Sequence, residues 1–185
     1  MKIEKEIEFK TLLTENEYNT LLELFTKNTT SYNQTNFYFD NDNFELNAKK
    51  ITCRVREKNN NFELTVKIKD TVGLNEYNQE ISYEEFINYK KNGLNLNYDV
   101  IRANNLKIKA QNTTTRFDLR LHNQLFSLDK INIDNNIHYE LEMETENYDE
   151  GLIIFNNFLK EYNIEYKKGP SKAKRTFEYY KKNLS

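Results

Sequence analysis

The stretch KIEKEIEFK at residues 2–10 decides the fold, because apolar and charged side chains alternate along it. Ile3, Ile7 and Phe9 fall on one side of an extended chain. The other side carries Glu4, Glu6, Glu8 and Lys10. This period of two predicts a β-strand with one apolar face and one charged face.

Alternation of the same kind recurs along most of the chain. It predicts further strands at about residues 32–39, 50–57, 62–69, 74–81, 106–110, 113–121, 124–131 and 137–145. Residues 94–105 show no clear period and are compatible with a short helix. The chain has only 4 Gly and 1 Pro in 185 residues, so no linker marks a boundary. We therefore predict a single domain over residues 1–185.

Capping signals mark where helices interrupt the strands. Thr14 with Glu17, and Ser82 with Glu85, each have the spacing of a capping box, and Gly93 is placed to end the second helix. The predicted helices span residues 15–27, 82–93, 148–162 and 171–181. Apolar residues at helical spacing predict that these helices cover the apolar faces of the strands; in the third they are Leu152, Phe155 and Leu159.

The charged faces of the strands are sorted by sign, whereas an ordinary solvated face is mixed. Each set repeats at i, i+2 and so points to one side of its strand. The acidic sets are Glu4, Glu6 and Glu8, and Glu140, Glu142 and Glu144. The basic sets are Arg54 and Arg56, and Lys67 and Lys69. A mixed set consists of Arg116, Asp118 and Arg120.

Like charges that are stacked along one strand repel each other, so opposite charges or a bound ion must relieve the repulsion. Clustered carboxylates bind hard divalent cations through oxygen. Clustered Arg and Lys side chains bind phosphate groups. The joint pattern indicates a charged concave surface that takes a metal-complexed polyphosphate.

The motifs, in their order along the chain, resemble those of one family. Glu6-Ile7-Glu8-Phe9-Lys10 resembles the E-x-E-x-K signature of the CYTH superfamily, the triphosphate tunnel metalloenzymes. The later motifs that resemble the family's are Tyr38-Phe39-Asp40, Arg54-Val55-Arg56, Leu64-Thr65-Val66-Lys67, Arg116, Asp129 with Glu140-Leu141-Glu142, and Ser171-Lys172. The resemblance extends from Glu4 to Arg175. It implies an α+β fold: an eight-stranded antiparallel β-barrel, or tunnel, with a charged interior and helices packed outside.

The resemblance also implies residue roles. The metal ligands would be Glu6, Glu8, Asp129, Glu140 and Glu142. The phosphate-binding residues would be Lys10, Arg54, Arg56, Lys67, Arg116, Lys172 and Arg175. The residues acting in catalysis would be Glu6, Glu8, Lys10 and Lys67. The family motif does not specify Glu4, Lys69, Asp118, Arg120 and Glu144, for which an ordinary surface or barrel charge is an equal alternative.

The implied activity is hydrolysis of a triphosphate that depends on Mg²⁺ or Mn²⁺, with one or two ions. Inorganic tripolyphosphate is the expected substrate, and nucleoside triphosphates are alternatives. A class IV adenylate cyclase, a thiamine-triphosphatase and a non-catalytic polyphosphate-binding module stay open. The chain has no Trp to stack on a thiazolium ring, which disfavours thiamine triphosphate.

Composition excludes several other classes. Aromatic residues make up 14% of the chain, which argues against disorder. A net charge of −2 gives no general reason to bind nucleic acid or membranes, and no Gly-rich phosphate loop is present. His122 and His138 lack the spacing of a zinc site. The single cysteine, Cys53, fits a packing role and a cytoplasmic protein, which we expect to be a monomer or homodimer.

Overall fold

A computed structural model describes residues 1–69 and 73–183 of the chain. Within these residues there are nine strands and five helices. The strands are β1 (Lys2–Leu13), β2 (Tyr32–Asp40), β3 (Thr52–Lys58), β4 (Asn61–Lys69), β5 (Leu74–Ile81), β6 (Leu94–Tyr98), β7 (Ile101–Leu121), β8 (Gln124–Ile133) and β9 (Asn136–Thr145). The helices are α1 (Glu15–Asn28), α2 (Glu45–Ala48), α3 (Tyr83–Asn92), α4 (Tyr148–Glu161) and α5 (Lys172–Asn183).

Hydrogen bonding arranges the strands in the order β2-β3-β4-β5-β1-β9-β8-β7-β6, and β2 pairs with β7 as well. The eight strands from β2 to β7 in this order therefore form a closed antiparallel barrel, and β6 pairs with the first part of β7. The predicted α+β class with an eight-stranded antiparallel barrel is confirmed.

The chain divides into two compact units, each with a hydrophobic core of its own. The first unit contains Met1–Lys5, Gln34–Asn112 and Ser171–Ser185. The second contains Glu6–Asn33 and Thr113–Pro170.

In the second unit, α1 and α4 cover the apolar face of β8 and β9. Leu21 and Phe25 of α1 and Phe155 of α4 are buried with the strand residues Phe126 and Leu141. Helix α1 begins at Glu15 with Thr14 as its N-cap, as predicted, because the Thr14 side chain accepts a hydrogen bond from the Glu17 amide and the Glu17 carboxylate accepts one from the Thr14 amide. These apolar contacts leave the opposite, charged face of the same strands to form a site.

One prediction about α4 is wrong. Leu152 is 38% exposed, and Phe158 and Gly151 are buried instead. Gly151 faces Phe9 and Thr145 so closely that a Cβ atom at this position would lie 2.6 Å from Thr145 Cγ2. The helix therefore turns its smallest residue toward the strands, which rotates Leu152 toward solvent.

In the first unit, α3 covers the apolar face of β3 and β4. Phe86 of α3 is buried in one cluster with Val55, Leu64 and Val66. Its predicted capping box, from Ser82 to Glu85, is present. Gly93 ends the helix as predicted, with a φ of +86° that favours glycine.

The structure corrects the prediction for residues 94–105, which form β6 and the start of β7 rather than a short helix. A register shift between Leu94 and Leu96 interrupts the pairing of β6 with β7 and obscures the alternation. The predicted strands over residues 106–110 and 113–121 are parts of one strand, β7. No helix among the described residues is long and apolar enough to cross a membrane.

Candidate metal and phosphate site

Three buried carboxylates lie together on the charged face of the second unit. Asp129 of β8 and Glu140 of β9 are directly opposite in the strand pairing, and Glu142 lies two residues further along β9. Each offers a carboxylate oxygen within 4.8 Å of those of the other two. Asp129 and Glu140 are 0% exposed, and Glu142 is 7% exposed. The structure thus brings together three of the five predicted metal ligands.

Arg116 of β7 binds two of these carboxylates. Its Nε donates to Asp129 Oδ1 at 2.7 Å, and its Nη2 donates to Asp129 Oδ2 at 2.6 Å and to Glu142 Oε2 at 2.5 Å. Burial by itself would lower the pKa of Arg116, but Asp129 and Glu142 outweigh it and raise that pKa well above its ordinary value. Arg116 is therefore a permanent cation inside the acidic cluster.

The donor set fits a hard divalent cation. All the groups are carboxylate oxygens, which Mg²⁺ and Mn²⁺ prefer. The cluster contains three carboxylates, and the Arg116 guanidinium adds one positive charge beside them. Chemistry and burial are both consistent with the metal-ligand prediction for Asp129, Glu140 and Glu142.

Strand β1 adds the first motif to the same face of the second unit. Lys10 is directly opposite Glu142 in the pairing of β1 with β9, and Glu8 is opposite Glu144. The Lys10 Nζ lies 4.0 Å from Glu8 Oε1. Glu6, Glu8 and Lys10 are all partly buried. Their assignment to metal and phosphate stays a prediction.

Asp118 has hydrogen-bond partners that the sequence analysis did not predict. It accepts hydrogen bonds from the Tyr32 hydroxyl at 2.6 Å and from the Ser127 hydroxyl at 2.7 Å. It also contributes to the raised pKa of Arg116. Arg120 and Glu144, two others that the family motif leaves unspecified, are exposed.

The first unit carries the basic motif residues on neighbouring strands. In the pairing of β3 with β4, Arg54 is opposite Thr65 and Arg56 is opposite Glu63. The Arg56 Nε donates to Asn36 Oδ1 at 3.1 Å. Lys67 forms an ion pair with Glu76, which is opposite it on β5.

Glu76 is a residue that the sequence analysis missed. Burial would raise its pKa, but the charges of Lys67 and Arg54 lower the pKa of the Glu76 carboxyl to about 2. The carboxylate thus forms an ion pair with Lys67 and feels the charge of Arg54, and both of these cations were predicted to bind phosphate. The available signal was the spacing Glu76-x-Asn78-x-Glu80, but the central residue is uncharged. On the neighbouring strand β1, Glu4 accepts a hydrogen bond from Asn78.

Helix α5 packs in the first unit. Ala173 and Phe177 are buried with Tyr38 of β2 and Ala110 of β7. Ser171 caps the helix as predicted, since its hydroxyl accepts a hydrogen bond from the Lys174 amide. Arg175 is 8% exposed, and Lys172 is partly buried. Both residues therefore belong to the docked side of the helix rather than to its solvent face.

Cys53 is buried in the core beside Val55 and Val66, as its place on the apolar face predicted. Burial, and to a smaller degree the charge of Asp40, raises the pKa of the thiol far above its ordinary value. A thiolate nucleophile is therefore disfavoured at this position.

Comparison with known proteins finds similarity along almost the whole chain. The chain is 30% identical to "Putative triphosphatase YjbK" of Bacillus subtilis over the full length of both proteins. A Bacillus halodurans protein described as a "putative adenylate cyclase" has a crystal structure that superposes with a TM-score of 0.87, at 26% identity, over 96% of this chain and 100% of that one. The protein HpAC1 from Hippeastrum superposes with a TM-score of 0.72 at 20% identity, over 99% of this chain and 96% of that one. The CYTH domain matches residues 4–177, and this chain therefore belongs to the CYTH family.

Proposed function

We propose that this protein hydrolyses a triphosphate with the help of Mg²⁺ or Mn²⁺ and that inorganic tripolyphosphate is its substrate. The observation that carries the proposal is the buried cluster of Asp129, Glu140 and Glu142, whose oxygens lie within 4.8 Å of one another. The name of the full-length relative YjbK, a "putative triphosphatase", supports the same activity. We treat residues 1–185 as one functional domain, in line with the CYTH match over residues 4–177.

In this proposal Asp129, Glu140 and Glu142 hold a divalent ion, and Glu6 and Glu8 complete the ligand set or hold a second ion. A bound divalent ion supplies charge neutralisation at the phosphate oxygens and acidifies a bound water. The basic residues bind phosphate oxygens: Lys10, Arg54, Arg56, Lys67, Arg116, Lys172 and Arg175. Glu6, Glu8, Lys10 and Lys67 orient the reacting phosphate and water. Such transfer needs mostly positioning and electrostatic stabilisation.

Ion pairs that hold basic side chains in place support the proposal that side chains bind the phosphate groups. Lys67 forms an ion pair with Glu76, and Arg116 forms one with Asp129, so these two cations are fixed in place before a ligand binds. Preorganised charges of this kind stabilise a charged transition state without reorganisation.

One other function, that of an adenylate cyclase, is suggested by a specific observation. The similar Bacillus halodurans protein is described as a "putative adenylate cyclase". A cyclase would release pyrophosphate from ATP instead of phosphate. The plant protein HpAC1, however, is described as a "putative adenylyl cyclase" with a dominant triphosphatase activity, so the fold accommodates hydrolysis. A binding module without turnover is disfavoured because anion binding alone does not call for buried carboxylates.

The decisive experiment measures phosphate release from tripolyphosphate, ATP and thiamine triphosphate with Mg²⁺, with Mn²⁺ and with EDTA. We expect metal-dependent release, fastest from tripolyphosphate, and none with EDTA. Glu8→Gln keeps the volume but removes a charge, so it should abolish turnover and leave the fold intact. Glu4→Gln, on the same face of β1 but exposed, is the matched control and should retain turnover. Pyrophosphate release from ATP, or binding without release, would overturn the proposal.

The cellular setting follows from the same proposal. A small triphosphate and a free cysteine fit the cytoplasm, and we expect a monomer or homodimer without a nucleic-acid or membrane partner. Size-exclusion chromatography with light scattering would measure the oligomeric state.

A further inference from the structure

A chain of buried hydrogen bonds in the first unit joins Arg56 on β3 to the C-terminal helix α5. The Arg56 Nε donates to Asn36 Oδ1 at 3.1 Å, and Asn36 Nδ2 donates to Asn112 Oδ1 at 3.0 Å. Asn112 Nδ2 donates to Thr176 Oγ1 at 2.8 Å. The Thr176 hydroxyl donates to the backbone carbonyl of Lys172 at 2.7 Å.

The direction of every bond in this chain is fixed at both ends, because a guanidinium can only donate and the Lys172 backbone carbonyl can only accept. Asn36 must turn its carbonyl oxygen to Arg56, so its NH₂ group faces Asn112. Asn112 must then accept with its oxygen and donate with its NH₂ group to Thr176. Thr176 accepts that bond and donates its own hydroxyl hydrogen bond to the Lys172 carbonyl. The two amide side chains therefore have one orientation that satisfies both the Arg56 guanidinium on β3 and the Lys172 carbonyl on α5.

The chain is well shielded from water. Asn36 is 1% exposed, Asn112 is 2% exposed and Thr176 is 0% exposed. Asn112 Nδ2 also lies 3.2 Å from the Tyr38 hydroxyl, so a single amide contacts β2 and α5 together. In a dry interior such bonds are strong, and an amide turned the wrong way would be costly.

Apolar contacts already dock the helix without this chain. The ring centroids of Phe177 and Tyr38 lie 5.8 Å apart, and Ala173 and Ala110 are buried in the same cluster. Apolar packing tolerates small rotations and translations of a helix, whereas a directional hydrogen bond does not. The polar chain therefore fixes how α5 is rotated on the strands rather than whether it docks.

We propose that Asn112 and Thr176 are positioning residues that couple Arg56 to the C-terminal helix and thereby hold Lys172 and Arg175 in place for the triphosphate. This inference rests on the proposed function, in which all three basic residues bind phosphate. The last acceptor of the chain is the carbonyl of Lys172 itself, so the coupling reaches the backbone of a predicted ligand residue.

The central variant is Thr176→Val, which removes the hydroxyl but keeps the shape of the side chain. Thr176→Ser restores the hydroxyl and is the conservative rescue. Thr20→Val is the matched control, because the Thr20 hydroxyl also donates to the carbonyl four residues earlier but lies on the exposed side of α1. For Mg²⁺-tripolyphosphate, we expect Thr176→Val to raise KM about three- to tenfold with kcat within about twofold. Thr176→Ser and Thr20→Val should stay within about twofold of the wild type in both constants.

A double-mutant cycle tests the coupling. In an Arg56→Met background, where the chain has lost its donor at the β3 end, Thr176→Val should raise KM by less than about twofold. Full additivity of the two changes, or a lower thermal midpoint with unchanged KM, would overturn the inference.

Hydrogen–deuterium exchange separates failure of this inference from failure of the proposed function. In the ligand-free protein, Arg56→Met should speed exchange of the α5 amides, although Arg56 lies on β3. Thr20→Val should leave α5 exchange unchanged. If wild-type protein releases no phosphate but α5 exchange responds to Arg56→Met, the proposed function fails and the coupling stands. Unchanged α5 exchange in Arg56→Met overturns the coupling whatever the activity.

Discussion

Arg116 and Asp129 form a bidentate pair in the buried face of the second unit, with hydrogen bonds of 2.7 and 2.6 Å. The two residues are directly opposite in the pairing of β7 with β8, so the strand register itself brings the guanidinium to the carboxylate. A second bond from the same guanidinium reaches Glu142. Arg116 thus balances part of the acidic cluster before any other cation binds.

The first prediction concerns loss of this guanidinium. Arg116→Gln leaves the buried carboxylates of Asp129 and Glu142 without their cation, which should cost about 3–5 kcal/mol in the free energy of unfolding. A divalent ion that binds the same carboxylates replaces the missing charge. Millimolar Mg²⁺ should therefore raise the thermal midpoint of Arg116→Gln more than that of the wild type, measured by thermal denaturation with Mg²⁺ and with EDTA.

Arg120→Gln is the control for this experiment. It removes the same charge from the same strand, but its side chain is exposed. Its midpoint and Mg²⁺ response should match those of the wild type. Equal Mg²⁺ shifts in all three proteins would contradict the assignment of Asp129 and Glu142 to a metal site.

The second prediction concerns acid. The Glu76 carboxyl has an ordinary pKa of 4.5, and the neighbouring Lys67 and Arg54 lower the pKa in the folded protein to about 2 despite burial. A lowered folded pKa means that the stabilisation is complete above about pH 4.5 and is lost as the pH falls toward 2. Between pH 7 and pH 3 the wild type should lose about 2 kcal/mol through this group. Urea denaturation at both pH values measures the loss.

Glu76→Gln should have a lower free energy of unfolding than the wild type at pH 7. This difference should be about 2 kcal/mol smaller at pH 3. Glu80→Gln lies four residues away on the same strand but is exposed, so its stability difference should not depend on pH in this way. A Glu76→Gln difference that is constant from pH 7 to pH 3 would refute the ion-pair account.

The third prediction concerns the single cysteine. Cys53→Ala removes one buried sulfur atom from the core of the first unit, so it should destabilise the protein by about 1 kcal/mol. Turnover should be unchanged, because burial raises the pKa of the thiol and leaves little thiolate. Phosphate release and urea denaturation of the same sample measure both effects. Lost turnover in a folded Cys53→Ala protein would make the thiol a participant in the reaction.

Elements with local signals were predictable from the sequence. Both capping boxes, at Thr14 and Ser82, depend on residues three positions apart, and both are present. Helix α2 was not predicted, because its start depends on tertiary contacts. Phe44 at its N-terminus has a φ of +56°, and the carboxylate of Asp40 accepts hydrogen bonds from the amides of Leu46 and Asn47.

In the candidate site, too, features with a local sequence signal were predictable and features that depend on strand register were not. The i, i+2 spacing of Glu140 and Glu142 was enough to predict that both face one side of β9. The position of Arg116 among the carboxylates was not predictable, because it depends on the register between β7 and β8. The partnership of Glu76 with Lys67 likewise depends on the register between β4 and β5.

The last prediction concerns Lys172, the first residue of α5 and the predicted phosphate ligand of the Ser-Lys motif. Truncation after Gly169 removes the whole helix and uncovers Tyr38 and Ala110, so it should impair stability as well as binding. The point variant Lys172→Ala is therefore the sharper test. It should raise KM for Mg²⁺-tripolyphosphate, or lower kcat/KM, by about ten- to a hundredfold, because one hydrogen bond from a charged group is worth about 1.5–3 kcal/mol. Lys174→Ala, two residues along the same helix with its side chain 62% exposed, should change neither constant. Equal kinetics for Lys172→Ala and Lys174→Ala would mean that the basic residues of α5 serve only to dock the helix.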